Sequence, residues 1–464
     1  MNRWAEHGLC VLVLAMTGSC AVGPDYKRPA FPAANAYKED SGWKPSEPSD
    51  ELDRGPWWAV FKDDDLSRLE ASVAVSNQNV RSAAAAVDQA RALVDQARAG
   101  YWPTIAAGLG LQRGAAAGIP AHNSVSVTAS GAWNLDLWGQ IRRTVESDRA
   151  SAQASVAALA AVELSAQGQL AIDYFELRVQ DQLQRILDDI VKAEQQSLKI
   201  AENRYRFGVA AKADVVTART QLLNSQAQQL NAQVQRGILE HAIAVLMGRQ
   251  PAEFSVAPAA LRSDVPTVPA GVPSALLERR PDVAEAERRM AASNAQIGVA
   301  TAAYYPTLNL NGSDQYAAGA FGRLFSTANR VWAVGPNLAQ TLFDGGLRRA
   351  QVAQARAAHA ASIANYRQTV LASFEQVEDQ LVTLRVLQQQ AAIEEAAVAA
   401  AQEAEKLTLN QYKAGTVPYI SVITAQTTRL ASEESALAVL SSRLQASVGL
   451  IEALGGGWTA AALD

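Results

Sequence analysis

Between residues 141 and 205 the chain runs 65 residues with no proline and one glycine, Gly168. A helix of that length would be about 100 Å long at 1.5 Å per residue, beyond the reach of any ordinary globular domain. Apolar residues recur along it at three- and four-residue steps (Leu164, Ile172, Phe175, Val179, Leu183, Ile186, Ile190) with Gln, Arg and Asp between. That is the pattern of a helix with one buried stripe. Residues 347–412 read the same way. Apolar residues make up 49% of the chain but aromatics only 6%, a composition suited to narrow helix seams. Periodicity alone leaves an ordinary dimeric coiled coil open.

The long helices belong to a duplicated unit. Tyr101-Trp102-Pro103-Thr104 recurs as Tyr304-Tyr305-Pro306-Thr307, and Gly139-Gln140-Ile141-Arg142-Arg143 is echoed by Gly345-Gly346-Leu347-Arg348-Arg349. Asn203-Arg204-Tyr205-Arg206-Phe207-Gly208-Val209 returns as Asn410-Gln411-Tyr412-Lys413-Ala414-Gly415-Thr416, and Leu246-Met247-Gly248 as Ala453-Leu454-Gly455. Constant order at a near-constant offset marks a repeat. The first repeat is read as 65–250, with strands at about 103–137 and a helical hairpin at about 141–248. A Pro-punctuated linker, 251–275, leads to the second at 276–456, with strands at about 305–343 and a hairpin at about 345–454; residues 457–464 form a tail.

Between the helices the period changes from 3.6 to 2. Over 124–137 the odd positions are Val125, Val127, Ala129, Gly131, Trp133, Leu135 and Leu137; the even ones are Ser124, Ser126, Thr128, Ser130, Ala132, Asn134 and Asp136. Residues 307–313 and 331–343 alternate likewise, and Ile105, Leu109 and Leu111 give a fourth, weaker segment. One apolar and one polar face suit a membrane strand with lipid outside and a wet lumen inside. Tyr101, Trp102, Trp138, Tyr304, Tyr305 and Trp332 sit near strand ends, where interfacial aromatics belong. No apolar run long enough for a transmembrane helix is expected. Four strands cannot close a barrel, and open edges are intolerable in lipid. Copies must therefore share one: two would fill it with side chains, and three leave a lumen.

Other function classes fall away. The net charge of −5 offers nothing to nucleic acid. The two cysteines, Cys10 and Cys20, both lie in the first twenty residues, and His7, His122, His241 and His359 are scattered. That excludes a disulfide framework, a cysteine metal site and a helical His pair. No nucleophile elbow, phosphate loop or zinc motif occurs. No enzyme activity, metal or cofactor is expected, and four Met and four His give no metal-relay lining.

Residues 1–19 show the basic start, the short apolar stretch 9–16 and the small residues before Cys20 of a secretory signal. A lipidated segment, 20–64, would follow. Cys20-Ala21-Val22-Gly23-Pro24-Asp25-Tyr26-Lys27-Arg28-Pro29 resembles the mature start of lipidated outer-membrane factors, with Thr17 where Leu is usual. The resemblance, to the outer membrane factor family, covers nearly the whole chain. Trp57-Trp58-Ala59-Val60-Phe61-Lys62-Asp63 is similar to that family's Trp-Trp element, and Glu278-Arg279-Arg280-Pro281-Asp282-Val283 with Ile297-Gly298-Val299-Ala300 to its most recognisable stretch.

The resemblance implies a mixed all-α plus β-barrel fold, in which a homotrimer closes a 12-stranded outer-membrane barrel continuing into a periplasmic α-helical barrel. It implies an exit duct for a periplasmic adaptor and an inner-membrane pump of the resistance-nodulation-division type, held in outer-membrane lipid by an acylated Cys20. The hairpin tips would meet the adaptor through Arg204, Tyr205, Gly208 and Val209 in the first repeat. Tyr412, Gly415 and Thr416 would do so in the second, where Gln411 replaces an Arg. Asp214 and Tyr412 fall at gate positions, with a hydrogen bond expected between them. Val417, Ser421 and Thr424 stand where charges occur in relatives. A type I secretion duct and a pore-free periplasmic coiled-coil lipoprotein are the competing readings.

Overall fold

In the computed structural model the described residues are 21–28, 37–39, 56–117, 119–266, 268 and 279–458. Residues 1–19, Cys20 and Glu278 lie outside them, as does most of the tail. After a 3-10 turn at Trp57–Phe61 come α1 (Asp64–Ser76), α2 (Gln78–Ala99), β1 (Thr104–Ala116), β2 (Ile119–Leu135), α3 (Gln140–Arg206) and α4 (Lys212–Leu246). The second half repeats the order: α5 (Pro281–Ala302), β3 (Thr307–Ala318), β4 (Arg330–Ala339), α6 (Leu347–Ala414) and α7 (Tyr419–Ala453). The hairpin arms match between halves, 67 and 35 residues against 68 and 35. One 18-residue window of α3 is apolar enough to cross a bilayer, contrary to the expectation of none. Its apolar character comes from an Ala-rich stretch of which only 33% is buried, Ala157, Leu170 and Ala171 being fully buried positions along it.

Two compact units emerge. The first comprises Met1–Phe31, Ala85–Val156 and Ala284–Thr369, and holds a four-stranded antiparallel sheet in the order β1-β2-β3-β4. The repeats join at β2–β3, where Leu135 pairs with Leu308 and Val125 with Ala318.

The strand bounds differ from the sequence expectation for local reasons. β2 stops at Leu135 because Asp136, expected on the polar strand face, instead accepts from the backbone N–H groups of Ile141 and Arg142 at 3.1 and 2.9 Å. Those are orphan donors at the start of α3. Asp344 does the same for Gly346 and Arg348, so β4 ends at Ala339 and not at residue 343. β3 runs on past residue 313 to Ala318; the charged Asp314 hides that continuation by interrupting the apolar face.

A strap of residues 21–28 crosses this unit. Val22 N–H donates to Trp138 O, and Arg143, on α3, reaches Val22 O, Gly23 O and the Asp25 carboxylate. Asn294 holds Pro24 O at 2.9 Å, and the Tyr26 hydroxyl donates to Glu287. A Cβ on Gly23, whose φ is +98°, would lie 2.5 Å from Gly298 Cα. Two stretches that stand out in the sequence, around Gly23-Pro24-Asp25 and Ile297-Gly298-Val299, are thus a single backbone crossing where no side chain fits.

The second unit comprises Pro32–Ala84, Ala157–Val283 and Val370–Asp464. Its core gathers Trp57, Phe61, Leu66, Leu170, Tyr174, Phe175, Leu381, Leu444 and Ile451. The Trp-Trp element acts here as an anchor: Trp57 Nε1 donates to Gln167 at 3.2 Å, and Phe61 packs on Phe175. Asp181, on α3, joins Arg178 and Arg236 and accepts from Ala259 N–H, pinning the start of the linker to α3 and α4. Arg280 donates to Ala453 O and pairs with Asp282, so the Arg-Arg-Pro-Asp stretch ties the start of α5 to the end of α7. Glu70, on α1, is fully buried, with neither carboxylate oxygen hydrogen-bonded among the described residues. Burial and the nearby Glu452 push its pKa up to about 9. Burial pushes Glu452 itself up to about 7, opposed by Arg280, and its side chain lies directly against Gly168.

Candidate functional site

The register sorts the sheet into two faces, since paired residues share a side. Ile105, Leu109 and Leu111 pair with Gly131, Val127 and Val125; Trp133 and Leu135 pair with Leu310 and Leu308, and Leu308 with Leu338. All of these lie on one apolar face. The opposite face carries Gln112, Ser124, Ser126, Thr128, Ser130, Asn134, Asn309, Asn311, Gln315 and Asn337. No Asp, Glu, Lys or Arg stands among the described strand residues of that face. The arrangement can therefore line a water-filled passage without a charged filter.

Aromatic residues collect at the helix-proximal strand ends. Trp133 Nε1 donates to Tyr101 O and Trp138 Nε1 to Pro306 O, and the Trp138 ring stacks on Tyr305 at 4.8 Å. Trp332 departs from that cluster: it pairs with Asp314, toward the loop end of the sheet.

The sheet is incomplete as a single chain. Among the described residues β1 and β4 each pair on one side only, leaving open edges. The hairpins carry matching signs of missing neighbours. Val216, Leu223 and Leu230 on α4, spaced by seven, are each more than half exposed, and Val386, Ile393 and Leu407 on α6 form a similar stripe. Heptad-spaced apolar residues are the seam of a helix packing on helices, and exposed apolar stripes of this extent mark association surfaces.

At the tips, Gly208 and Gly415 adopt φ of +77° and +79°. Each tip closes with paired backbone bonds: Gly208 N–H to Tyr205 O and Val209 N–H to Arg204 O, then Gly415 N–H to Tyr412 O and Thr416 N–H to Gln411 O. Tyr205, Phe207 and Val209 are exposed at the first tip. Phe207 is not among the adaptor contacts expected at this tip, which are Arg204, Tyr205, Gly208 and Val209.

Arg204 and Tyr412 face inward. The Arg204 guanidinium donates to Tyr412 O at 2.6 Å and lies 4.7 Å over its ring. Tyr412 is only 2% exposed and packs on Tyr419 at 5.2 Å, within a cluster that includes Ala201, Ala218 and Val422. Within one chain the expected Tyr412–Asp214 hydrogen bond is not formed: the Tyr412 hydroxyl is buried without a partner among the described residues. Burial raises its pKa; Arg204 opposes the rise and Asp214 adds to it. Arg204 engages the carbonyl and the ring face of Tyr412 and leaves its hydroxyl unused. Val417 packs partly buried against the same cluster, while Ser421 and Thr424 bond within α7 and its cap. Among the described residues no group of three or more His, Cys, Asp or Glu could hold a metal ion.

Known proteins share this architecture. The family described as outer membrane efflux protein matches residues 71–249 and 272–456. The probable efflux pump outer membrane protein TtgC of Pseudomonas putida is 28% identical, the alignment covering 97% of this chain and 96% of that one. The pyoverdine export outer membrane protein OpmQ of Pseudomonas aeruginosa is 31% identical over 88% of this chain and 89% of its own. Among solved structures, the outer-membrane channel OprN superposes with a TM-score of 0.86 at 30% identity, covering 95% of this chain and all of that one.

Proposed function

The chain belongs to the outer membrane efflux protein family, and from that premise we propose that three copies close one barrel of twelve strands, through which small organic solutes leave the cell passively. It is an outer-membrane exit channel of a tripartite efflux system, reaching into the periplasm, and it conducts instead of catalysing.

The observation that carries the trimeric reading is the sheet with two open edges and one apolar face. Each unpaired strand-edge group would cost several kcal/mol in hydrocarbon, so β1 of one copy must pair with β4 of the next. The exposed seams on α4 and α6 supply the matching helical contacts. A neutral polar lumen favours organic solutes that need no counter-charge, in keeping with the antibiotic efflux and pyoverdine export that the names of relatives describe. The pump is then of the resistance-nodulation-division type, and the exposed first tip, with Tyr205, Phe207 and Val209, is the surface offered to the adaptor.

Cys20 is the lipid attachment site in this reading. Its neighbour Ala21 lies against Gly139, one residue from the aromatic Trp138, the level at which acyl chains would enter a bilayer. Two or more chains give stable attachment where one is marginal.

Single-channel recording in planar bilayers, with cysteine pairs placed between Ala106 and Ala333, tests the assembly. Conducting channels whose subunits cross-link up to a trimer are expected. Monomers without conductance would reject the barrel in favour of a pore-free periplasmic lipoprotein.

A further inference from the structure

We infer that the outward face of the sheet carries a binding site for a lipid of the outer leaflet with a net-anionic phosphate headgroup, its chain in a glycine-floored groove and its headgroup at Arg330. The inference rests on the barrel reading above, which makes the apolar face the lipid-facing one.

Gly131 and Gly312 are register partners at the centre of that face, flanked by Ile105 on β1 and Val334 on β4. They floor a groove of about 380 Å³ walled by Ile105, Trp332 and Val334, within the size range of small-molecule sites. The fold does not demand glycine at either position. Neither has a positive φ, and an added Cβ would meet Thr104 O at 3.9 Å or Val334 Cγ2 at 3.8 Å, ordinary contacts. Between Ile105, Trp332 and Val334 on that face, two missing side chains leave a slot that an acyl chain fills.

The groove ends at a charge. Asp314 and Arg330 lie on the same apolar face, joined by Nε to Oδ1 and Nη2 to Oδ2 bonds of 2.9 Å each. The fork leaves Nη1 outside that pair, and the Arg330 side chain is 48% exposed. Guanidinium groups are strong phosphate ligands because the fork matches the oxygen spacing. Asp314 holds the guanidinium in place over the Tyr316 ring, 6.0 Å away.

The surroundings favour an anionic lipid. In a chain of net charge −5, residues 112–124 and 314–331, at the loop end of the sheet, carry Arg113, Arg323 and Arg330 against Asp314 alone. Exposed Phe321, Phe325 and Trp332 stand among them, and Phe325 packs on Tyr316 at 5.4 Å. Basic and aromatic residues together are the usual equipment of a membrane interface.

Native mass spectrometry of the purified, delipidated protein, offered diphosphoryl lipid A or phosphatidylcholine, tests the site. Lipid A should be retained preferentially. Retention should fall about fivefold in an Asp314→Asn, Arg330→Gln double variant, the weight of one arginine near a charged surface, which leaves no lone charge in lipid. Gly312→Leu should reduce retention while trimers and conductance persist. Equal retention of phosphatidylcholine, displacement by inorganic phosphate, or dissociation of the trimer by Gly312→Leu would each overturn the proposal. The last would make the groove a contact between copies. Failure of the unmodified protein to conduct would instead reject the channel reading.

Discussion

Arg204, at the end of α3, donates to the main-chain carbonyl of Tyr412, at the end of α6, and covers the ring of the same residue. Two hairpins from different repeats are thereby tied within one chain, close to both tips. The hydrogen bond uses a backbone acceptor and depends on the Arg side chain and the position of α6, whereas the ring contact depends on the Tyr412 side chain.

A hydrogen bond from a charged donor contributes roughly 1.5–3 kcal/mol. Removing it with Arg204→Ala should loosen the tips and raise single-channel conductance several-fold, with trimers intact on a gel. Arg204→Lys should restore part of the effect, since a point charge reaches the carbonyl but stacks less well. Conductance unchanged in Arg204→Ala would mean that this tie has no part in holding the tip.

Gly208 and Gly415 need a φ near +78° that proline, fixed near −65°, cannot adopt. A strain carrying Gly208→Pro and Gly415→Pro should lose drug resistance while the protein still assembles in the outer membrane. Minimum inhibitory concentrations equal to those of the parent strain would remove the tips from the adaptor contact.

Glu70 gives a pH dependence with a definite sign. Its carboxyl pKa is raised from 4.5 to about 9 by burial and by Glu452, so the folded state keeps a proton that the unfolded chain gives up. Stability is greatest below the unfolded value and falls as pH climbs toward 9. Glu452, raised to about 7, adds a decline of the same sign over a narrower window. Glu70→Gln should therefore stabilise the protein at pH 8, on the order of a few kcal/mol, and do little at pH 4. Thermal unfolding in detergent at the two pH values measures this, and equal shifts at both would show that Glu70 is not held neutral.

Cys20→Ser should abolish metabolic labelling with palmitate. Assembly should survive, because the sheet face offers far more apolar contact to lipid than acyl chains do. Labelling that persists in the variant would place the lipid on another residue.

The long helices were legible because nothing interrupts them: a 3.6-residue period sustained over more than sixty positions has few alternatives. The strands were legible where lipid and lumen impose alternation, as in 124–135, and illegible where one pair breaks it. Asp314 reads as a strand end until Arg330, sixteen residues on, is seen to neutralise it. Asp136 satisfied the polar alternation yet serves as a helix cap, a role that depends on how the next turn is aimed. The inward turn of Arg204 was hidden for a different reason. Its acceptor is a carbonyl 208 residues away, and a motif pattern records which side chains stand at a tip but not which way they point.

The seam between repeats bears on how the protein is made. β2 pairs with β3 along eleven residue pairs, from Val125–Ala318 to Leu135–Leu308, but the hairpin of α3 and α4 lies between them in the chain. Local contacts let that hairpin fold on its own, whereas the seam must wait for a loop of some 170 residues to close, and contacts so distant in sequence form slowly. Until then β1 and β2 present bare edges and an oily surface to water. A nascent chain in transit is therefore most vulnerable to aggregation after its first helices have folded and before its last strand arrives, the interval in which a periplasmic chaperone would have most to protect.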